Sequence, residues 1–503
     1  MTRVRSWSWA ALAGLAVPLA LASVPAHAAT VAKPWDFDGD GRPDLVIGAP
    51  TLNRGSVRAA GGLVVVPGSG SDGAYPDGAR IITQSTSKVV GASEPGDDFG
   101  AALASADFDA DGFADLAVGS PGEDFTKGDD EGAVTILYGS RKGLSGARSQ
   151  QIAEPSGKHR YAEFGGALAA GDLDGDGYPD LAVGAVDDLV DRPVTDDNPP
   201  SGTVTVLRGS RDGVRTSGAT VLRGDRGAAW DHRFGSALAV ADVDADGRLD
   251  LVVVSRGSND EGAAHDGSLS YCPGTTAGPR ACRRLLHDRD LREAGPVVVG
   301  NVQGDARPEI VVGVASTDGD VDQGGLRLVR LSGTGSATTG AATGVDQADA
   351  GLPGTGDAGD AFGAALAIGD VDGDGYADLV VGAPGEAVGD ERAGRVFVVH
   401  GGAGGLATRG NSAYDQDTPG VPGGSEDGDR FGAAVALLDR DGDGRADLTV
   451  GAPGEDDETG RVTTLLAAGA GFTTTGSRAY GLSTIDNGYD NRAQAHFGEV
   501  IGR

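Results

Sequence analysis

The chain has 503 residues and a formal net charge of −33, with 74 acidic and 41 basic side chains. This balance argues against a nucleic-acid-binding protein, which needs a basic surface. The 87 glycines show no Gly-x-y period, so they indicate many turns rather than collagen.

The first 28 residues have the pattern of a secretory signal peptide. Arg3 and Arg5 precede an apolar run from Ala10 to Ala22, and Ala26 to Ala28 match a small-residue cleavage site. The apolar run is shorter than the ~20 residues that a membrane-spanning helix needs. We therefore expect residues 1–28 to be removed and residues 29–503 to form a secreted protein, extracellular or retained at the cell surface, without a membrane span.

An acidic loop of the form D-x-D-x-D-G-x-x-D recurs at intervals of roughly 60 to 70 residues. Alternate carboxylates converge on a short segment and the glycine permits a tight turn, which is the chemistry of a calcium loop. Much of the negative charge is therefore expected to be ligand charge rather than a disordered acidic tail. The aspartates of the six intact copies are Asp36, Asp38, Asp40 and Asp44; Asp107, Asp109, Asp111 and Asp115; Asp172, Asp174, Asp176 and Asp180; Asp242, Asp244, Asp246 and Asp250; Asp370, Asp372, Asp374 and Asp378; and Asp439, Asp441, Asp443 and Asp447.

The main alternative for such a loop is the EF-hand, in which the twelfth position carries a bidentate Glu and helices flank the loop. Here the flanking segments are apolar for only five to eight residues and then meet Gly or Pro, as in DLAVGSP, so they predict strands. The twelfth position is aliphatic in every copy, namely Ile47, Val118, Val183, Val253, Val381 and Val450. The sequence therefore predicts calcium loops between strands.

Each repeat contains four short apolar segments: FGxxLxxAD, then DLxVGAP after the acidic loop, then GxVxVLxGS, then a more polar one. Four strands per repeat predict an all-β fold, a seven-bladed β-propeller of four-stranded antiparallel blades. The phenylalanine of each FG pair is expected to wedge between neighbouring blades.

The fifth repeat departs from this pattern. Val297 to Val299 replace FG, and the loop from Asn301 to Glu309 reads Asn301, Gln303, Asp305 and Glu309 with Ala306 at the turn glycine. We expect weak or absent calcium there, and so about six structural calcium sites in total.

The two ends of the chain complement each other. The first acidic loop, at Asp36, has no FG strand before it, and the last residues from His496 to Arg503 spell an FG strand with no loop after it. We expect this C-terminal strand to join the first sheet and close the ring, which removes an open edge.

Two further features bear on stability and binding. Cys272 and Cys282 are the only cysteines, and in an oxidising compartment they are expected to form a disulfide that staples a hairpin. Two segments, Val186 to Ser201 and Ala341 to Ala361, are longer than turns require. Long loops on a rigid scaffold are usual binding surfaces.

The ordered combination of FG, the acidic loop and GAP resembles the FG-GAP repeat, and the chain is similar to the seven-bladed headpiece of integrin α subunits over residues 30–503. The resemblance implies calcium binding through the side chains at the first, third, fifth and ninth loop positions. It also implies a carbonyl ligand at the seventh position, contributed by Arg42, Phe113, Tyr178, Arg248, Tyr376 and Arg445.

Motifs for common enzyme chemistry are missing from the sequence, which has no G-x-S-x-G, no H-E-x-x-H and no phosphate loop. We therefore expect no catalytic residues and favour a monomeric, non-catalytic binding or cell-adhesion module that recognises an extracellular protein or glycan. The alternatives are a carbohydrate-binding lectin and, third, a secreted hydrolase or lyase.

Overall fold

The structure, a computed structural model, describes residues 31–68, 78–125, 130–155, 157, 161–187, 202–224, 232–257, 266–305, 307–315, 323–333, 338–485 and 494–502. In these ranges almost all of the regular secondary structure is strand, and the helical turns are short: Arg289–Glu293, Glu455–Glu458 and Leu482–Ile485. The signal peptide predicted for residues 1–28 lies outside the described residues.

Within the described residues, twenty-eight strands form seven four-stranded antiparallel sheets, as the sequence predicts. The innermost strand of each sheet is given first. Blade 1 is β28 (Val500–Ile501), β1 (Leu45–Ala49), β2 (Gly62–Val66) and β3 (Arg80–Ile82); blade 2 is β4 (Ala102–Ala106), β5 (Asp115–Ser120), β6 (Ala133–Leu137) and β7 (Ser149–Ala153); blade 3 is β8 (Phe164–Gly171), β9 (Asp180–Ala185), β10 (Thr203–Arg208) and β11 (Arg215–Leu222); blade 4 is β12 (Phe234–Ala241), β13 (Asp250–Ser255), β14 (Gly267–Cys272) and β15 (Arg283–Asp288). Blade 5 is β16 (Ala294–Gly300), β17 (Glu309–Val314), β18 (Gly325–Ser332) and β19 (Thr338–Val345); blade 6 is β20 (Ala365–Gly369), β21 (Asp378–Ala383), β22 (Arg395–Val399) and β23 (Ser412–Tyr414); blade 7 is β24 (Ala434–Leu438), β25 (Asp447–Ala452), β26 (Arg461–Ala468) and β27 (Gly471–Tyr480).

The innermost strands of successive blades contact one another around the whole ring, including β24 with β28 and β28 with β4. They enclose an axial cavity of about 650 Å³ lined largely by alanines from six of the blades. Small side chains are needed there because seven strands converge on the axis.

The second strand of each blade is buried on both faces, because each sheet lies between two neighbours. In β5 all six residues from Asp115 to Ser120 are buried. This explains why the DLxVGAP segments are continuously apolar rather than alternating, since both faces pack against other layers.

The FG and GAP motifs meet at the blade interfaces. Gly119 of the second strand packs so closely on the next blade that a Cβ there would lie 2.0 Å from the carbonyl oxygen of Gly165. Phe99 and Phe164 are fully buried, and Phe99 packs with Val46 and Leu63 of blade 1 as well as with residues of its own blade. The prediction that these phenylalanines wedge between blades is confirmed.

The C-terminal strand closes the ring as predicted. β28 pairs antiparallel with β1 through Ile47↔Ile501 and Gly48↔Val500, and Phe497 is buried among residues of blades 1 and 7. No inner edge of the first sheet is left unpaired in the described part of blade 1.

Two sequence expectations need correction. In blade 5 the place of FG is taken by Ala294 and Gly295, because Ala294 pairs with Val314 across the same strand bulge that aligns Phe234 with Ser255 in blade 4. The valines at 297–299 are the continuation of that strand. The segment Ala341 to Ala361 is not all loop, since its first residues belong to β19.

Of the two remaining expectations, one concerns residues that the structure describes and the other concerns residues that it does not. Cys272 and Cys282 are joined by a disulfide between β14 and β15, so the predicted hairpin staple is confirmed. The predicted binding segment Val186 to Ser201 lies outside the described residues beyond residue 187.

Candidate metal centre

Each acidic loop connects the first strand of a blade to the second. The ninth-position aspartate is the first residue of the second strand in blades 2, 3, 4, 6 and 7, and in blade 1 it directly precedes that strand. Because every first-to-second-strand connection leaves the sheet at the same end, the loops lie on one face of the propeller. The second-to-third-strand connections and the links between blades emerge on the opposite face.

The first aspartate of each loop is held by backbone amides of its own turn. In blade 3, Asp172 Oδ1 accepts hydrogen bonds from the amides of Gly175 (2.7 Å) and Asp176 (3.1 Å), and its Oδ2 accepts one from Gly177 (2.9 Å). Gly177 has φ of 92°, a left-handed conformation that glycine adopts without strain. The same amide-to-Oδ2 bond recurs between Gly41 and Asp36, Gly112 and Asp107, Gly247 and Asp242, Gly375 and Asp370, and Gly444 and Asp439.

The ninth-position aspartate ties the loop to two other parts of the blade. Asp115 accepts hydrogen bonds from the amides of Phe108 and Gly139, both at 2.9 Å. The pKa of Asp115 is raised to about 8, mainly by burial and also by the neighbouring loop carboxylates, although these amide bonds lower it.

Four of the equivalent residues behave alike. Burial is the main cause that raises the pKa of the ninth-position carboxyl to about 7 for Asp44, Asp180 and Asp250, and to about 6 for Asp447. A raised pKa means that the folded loop disfavours the ionised carboxylates unless a positive charge is nearby.

The loops have the geometry and the chemistry that fit a hard cation. In the loops of blades 1 to 4, three aspartates each offer a ligand atom, and the three atoms lie within 4.8 Å of one another; in blade 6 the group is Asp372, Asp378 and His400. Among the described residues, the buried oxygens Asp36 Oδ1, Asp109 Oδ1 and Asp244 Oδ1 have no hydrogen-bond partner. Clustered carboxylate oxygens with unsatisfied lone pairs are what Ca²⁺ coordination requires.

The seventh-position residues lie in the same turn. Their amides donate to the fifth-position aspartates, for example Tyr178 to Asp176 Oδ1 at 3.0 Å. The same bond occurs at Arg42, Phe113, Arg248, Tyr376 and Arg445. Their role as carbonyl ligands stays a prediction.

Polar residues of the third and fourth strands reach these loops, and the sequence reading missed them. Arg208 contacts Asp174 and lies 3.3 Å from Asp180, and His400 Nδ1 lies 3.2 Å from Asp378 Oδ1. The hairpin register could have revealed them. Leu207 pairs with Leu181 and Val399 with Leu379, so the next residue on each third strand faces the ninth-position aspartate.

The loop of blade 5 is crossed by an arginine. Arg330 NH1 donates to Gln303 Oε1 at 2.6 Å, its NH2 pairs with Asp305, and its Nε lies 3.8 Å from Glu309 Oε1. The guanidinium therefore contacts three of the residues that would be metal ligands in an intact loop.

Fold and loops together define a seven-bladed β-propeller with an acidic strand-to-strand loop in each blade. The FG-GAP repeat model matches residues 28–74, 99–137, 164–207, 234–271, 362–399 and 431–465. The chain is therefore an FG-GAP repeat protein, with six recognisable repeats. None of the matched segments falls in blade 5, in agreement with its altered loop and its missing FG pair.

The relatives include integrin α chains and a phospholipase D. The chain is 36% identical over 157 residues to integrin alpha-5 of Xenopus laevis (30% of this chain, 14% of the relative), and 31% identical over 233 residues to integrin alpha pat-2 of Caenorhabditis briggsae (43% and 17%). It is 33% identical over 150 residues to human phosphatidylinositol-glycan-specific phospholipase D (30% and 17%). The match spans less than a fifth of each relative's length.

Among solved structures, rhamnogalacturonan lyase YesW has a TM-score of 0.30 and 16% identity, with 64% of this chain and 68% of the lyase covered. A likeness this weak carries no argument about function. In the part of the chain that the structure describes, no helix has the length and hydropathy needed to cross a bilayer.

Proposed function

We propose that this protein is a secreted, calcium-stabilised FG-GAP propeller that acts as a non-catalytic binding or adhesion module for an extracellular protein or glycan. The observation that carries the proposal is the acidic loop that recurs in six blades of a closed ring, with three carboxylates gathered within reach of one cation in blades 1 to 4. The first-, third-, fifth- and ninth-position aspartates would hold the ion. Its chemistry is charge compensation: it lets buried carboxylates stay ionised at neutral pH.

Blade 5 would take weak or no calcium, because Asn301 and Gln303 replace two of the loop carboxylates and Arg330 supplies positive charge to the two acids that remain. Calcium would thus be structural, joining the first two strands of six blades. An extracellular medium rich in calcium fits that role, as do the disulfide and the signal peptide expected at residues 1–28.

The binding surface is proposed to lie on the face opposite the calcium loops. The strand β9 ends at that face, and the predicted insert follows it in the sequence. The relatives support a recognition role, since integrin α chains are among them. The enzyme alternative draws on the phospholipase D relative, whose matched part is 17% of that protein.

Calcium binding can be tested by comparing two equivalent loop variants. Asp40→Ala removes the fifth-position carboxylate of blade 1, where no basic side chain contacts the loop in the described residues. Asp305→Ala removes the fifth-position carboxylate of blade 5. Isothermal titration should give about six sites for the parent, one fewer for Asp40→Ala and no change for Asp305→Ala. Absence of calcium binding, or equal losses in both variants, would contradict the proposal.

Ligand class needs a separate experiment. The full-length secreted protein, with calcium present, would be applied to a glycan array and used for pull-down from cell-surface extracts. Binding to a defined glycan set supports the lectin alternative, whereas a protein captured only in calcium and lost with chelator supports the adhesion module. Turnover of a phosphatidylinositol-glycan substrate would overturn the non-catalytic assignment.

A further inference from the structure

A second set of acidic residues recurs away from the calcium loops, where one blade meets the next. Each cluster contains three residues. The Gln follows the fourth strand of one blade, the Asp lies two residues before the FG phenylalanine of the next blade, and the Glu follows the GAP motif, or its equivalent, of that next blade. We call these three clusters interface boxes. Box A, between blades 1 and 2, is Gln84, Asp97 and Glu123; box B, between blades 5 and 6, is Gln347, Asp360 and Glu386; box C, between blades 6 and 7, is Gln416, Asp429 and Glu455.

All nine side chains are buried, with exposed fractions of 1% to 7%. In box A, Gln84 Nε2 donates to Glu123 Oε2 at 2.5 Å, and in box C, Gln416 Nε2 donates to Glu455 Oε2 at 2.6 Å. Each Asp accepts one backbone amide through Oδ2, as Asp97 does from Glu94 at 2.6 Å. The boxes are thus built to one plan.

Boxes B and C contain an arginine that box A lacks. Arg395 NH1 lies 3.2 Å from Glu386 Oε1, and Arg461 NH1 lies 2.6 Å from Glu455 Oε1. Both arginines begin the third strand, opposite the alanine of GAP: Ala383↔Arg395 and Ala452↔Arg461.

In blade 2 the equivalent register pair is Ser120↔Ala133, so the arginine is replaced by alanine and the GAP alanine by serine. Directly opposed residues of antiparallel strands point to the same face of the sheet. Ser120 therefore presents its hydroxyl on the face from which the arginine extends in blades 6 and 7.

Box A is left with unsatisfied oxygens. Gln84 Oε1, Asp97 Oδ1 and Ser120 Oγ are buried and have no hydrogen-bond partner among the described residues. The glutamine Oε1 atoms of boxes B and C and Asp360 Oδ1 are also without a partner there, so box A differs from them in the Ser120 hydroxyl and in lacking an arginine. The charged groups that act most strongly on Asp97 are carboxylates: its pKa is raised to about 7, mainly by burial, and Glu123, Glu94 and Asp124 contribute to that rise. Box A therefore combines two buried carboxyls with oxygens that only a positively charged or donating partner could satisfy.

We propose that box A is a divalent-cation site between blades 1 and 2, held by Asp97, Glu123, the amide oxygen of Gln84 and the hydroxyl of Ser120. Two carboxylates balance the charge of one divalent ion, and amide and hydroxyl oxygens are ligands that Ca²⁺ accepts. The ion would take the place that the guanidinium fills in boxes B and C. This site is distinct from the acidic loops, which lie between the first and second strands of one blade.

The test installs the missing arginine. Ala133→Arg should occupy box A as Arg395 and Arg461 occupy theirs, so the full-length variant should bind one calcium fewer per chain than the parent. Bound metal would be counted by elemental analysis after equilibrium dialysis in calcium. Glu123→Gln is nearly isosteric and should also bind one calcium fewer per chain. This variant provides the test if Ala133→Arg does not fold. Glu94→Gln removes the same charge from an exposed neighbour and should leave the count unchanged.

A crystal soaked in Mn²⁺ should show an anomalous peak among Asp97, Glu123 and Gln84 in the parent and not in Ala133→Arg. The count is a difference, so it holds whether or not the acidic loops bind calcium. Equal calcium content in the parent, Ala133→Arg and Glu123→Gln would overturn the proposal. So would box A density that contains no metal in the Mn²⁺-soaked crystals of the parent.

Discussion

Calcium removal should make the stability of this protein strongly pH-dependent. Burial raises the pKa of the ninth-position carboxyl to between about 6 and about 8 for Asp44, Asp115, Asp180, Asp250 and Asp447. The corresponding value in the unfolded chain is 3.8 for each Asp. Between these values the metal-free folded state binds more protons than the unfolded state, so the free energy of unfolding falls as the pH rises.

The size of this effect can be bounded. One pKa unit corresponds to about 1.4 kcal/mol. If each of the five carboxyls keeps a shift of only one unit between the unfolded and folded states, the five shifts together change the free energy of unfolding by about 7 kcal/mol. That is comparable to the whole free energy of unfolding of an ordinary domain, about 5–15 kcal/mol. Metal-free protein should therefore be stable near pH 5 and marginal near pH 8. Bound calcium should remove most of this dependence, because the ion stabilises the ionised carboxylates.

Urea unfolding, followed by circular dichroism from pH 5 to pH 8 in calcium and in chelator, measures both slopes. Asp115→Asn removes the group with the highest pKa and should flatten the slope in chelator, with little effect on the slope in calcium. The interface boxes also contain carboxyls with raised pKa, so the comparison between calcium and chelator, rather than the slope itself, isolates the metal sites. The reasoning is refuted if chelator leaves the unfolding midpoint at pH 8 unchanged or if the two slopes coincide.

Three further predictions concern the scaffold. Phe497→Ala should lower the free energy of unfolding by about 3–5 kcal/mol, because the phenyl ring is fully buried where blades 7 and 1 meet. The control Val90→Ala, at a side chain that is 45% exposed, should change the free energy of unfolding by less than about 0.5 kcal/mol. Equal effects in urea melts would argue against a closed ring. Gly119→Ala places a methyl 2.0 Å from a carbonyl oxygen of the next blade. It should give a large drop in thermal midpoint, and a wild-type midpoint would mean that the interface is looser than the structure shows. Reducing the bond between Cys272 and Cys282 should cost about 2–3 kcal/mol on the loop-entropy model, measured in urea with and without reductant; no change would show that the hairpin needs no staple.

The sequence determined the features that depend on local pattern. Strand spacing, the acidic loops, the exclusion of EF-hands and the closing role of the last strand all follow from residues close together in the chain. Few folds can accommodate six loops of identical spacing that are each flanked by short apolar segments. Ring closure could be predicted because the FG strand at Phe497 has no acidic loop after it and the acidic loop at Asp36 has no FG strand before it.

Tertiary structure decided the features that join distant segments. The position of Arg330 in the blade 5 loop depends on the strand register, and the sequence pattern alone indicated only lost charges. The interface boxes bring together residues from two blades, such as Gln84 and Glu123, whose partnership exists only once neighbouring sheets stack. Whether a buried carboxylate faces an arginine or unsatisfied oxygens is set by packing between sheets, because Coulomb interactions depend on distance in space and on burial, and neither can be read from the order of residues.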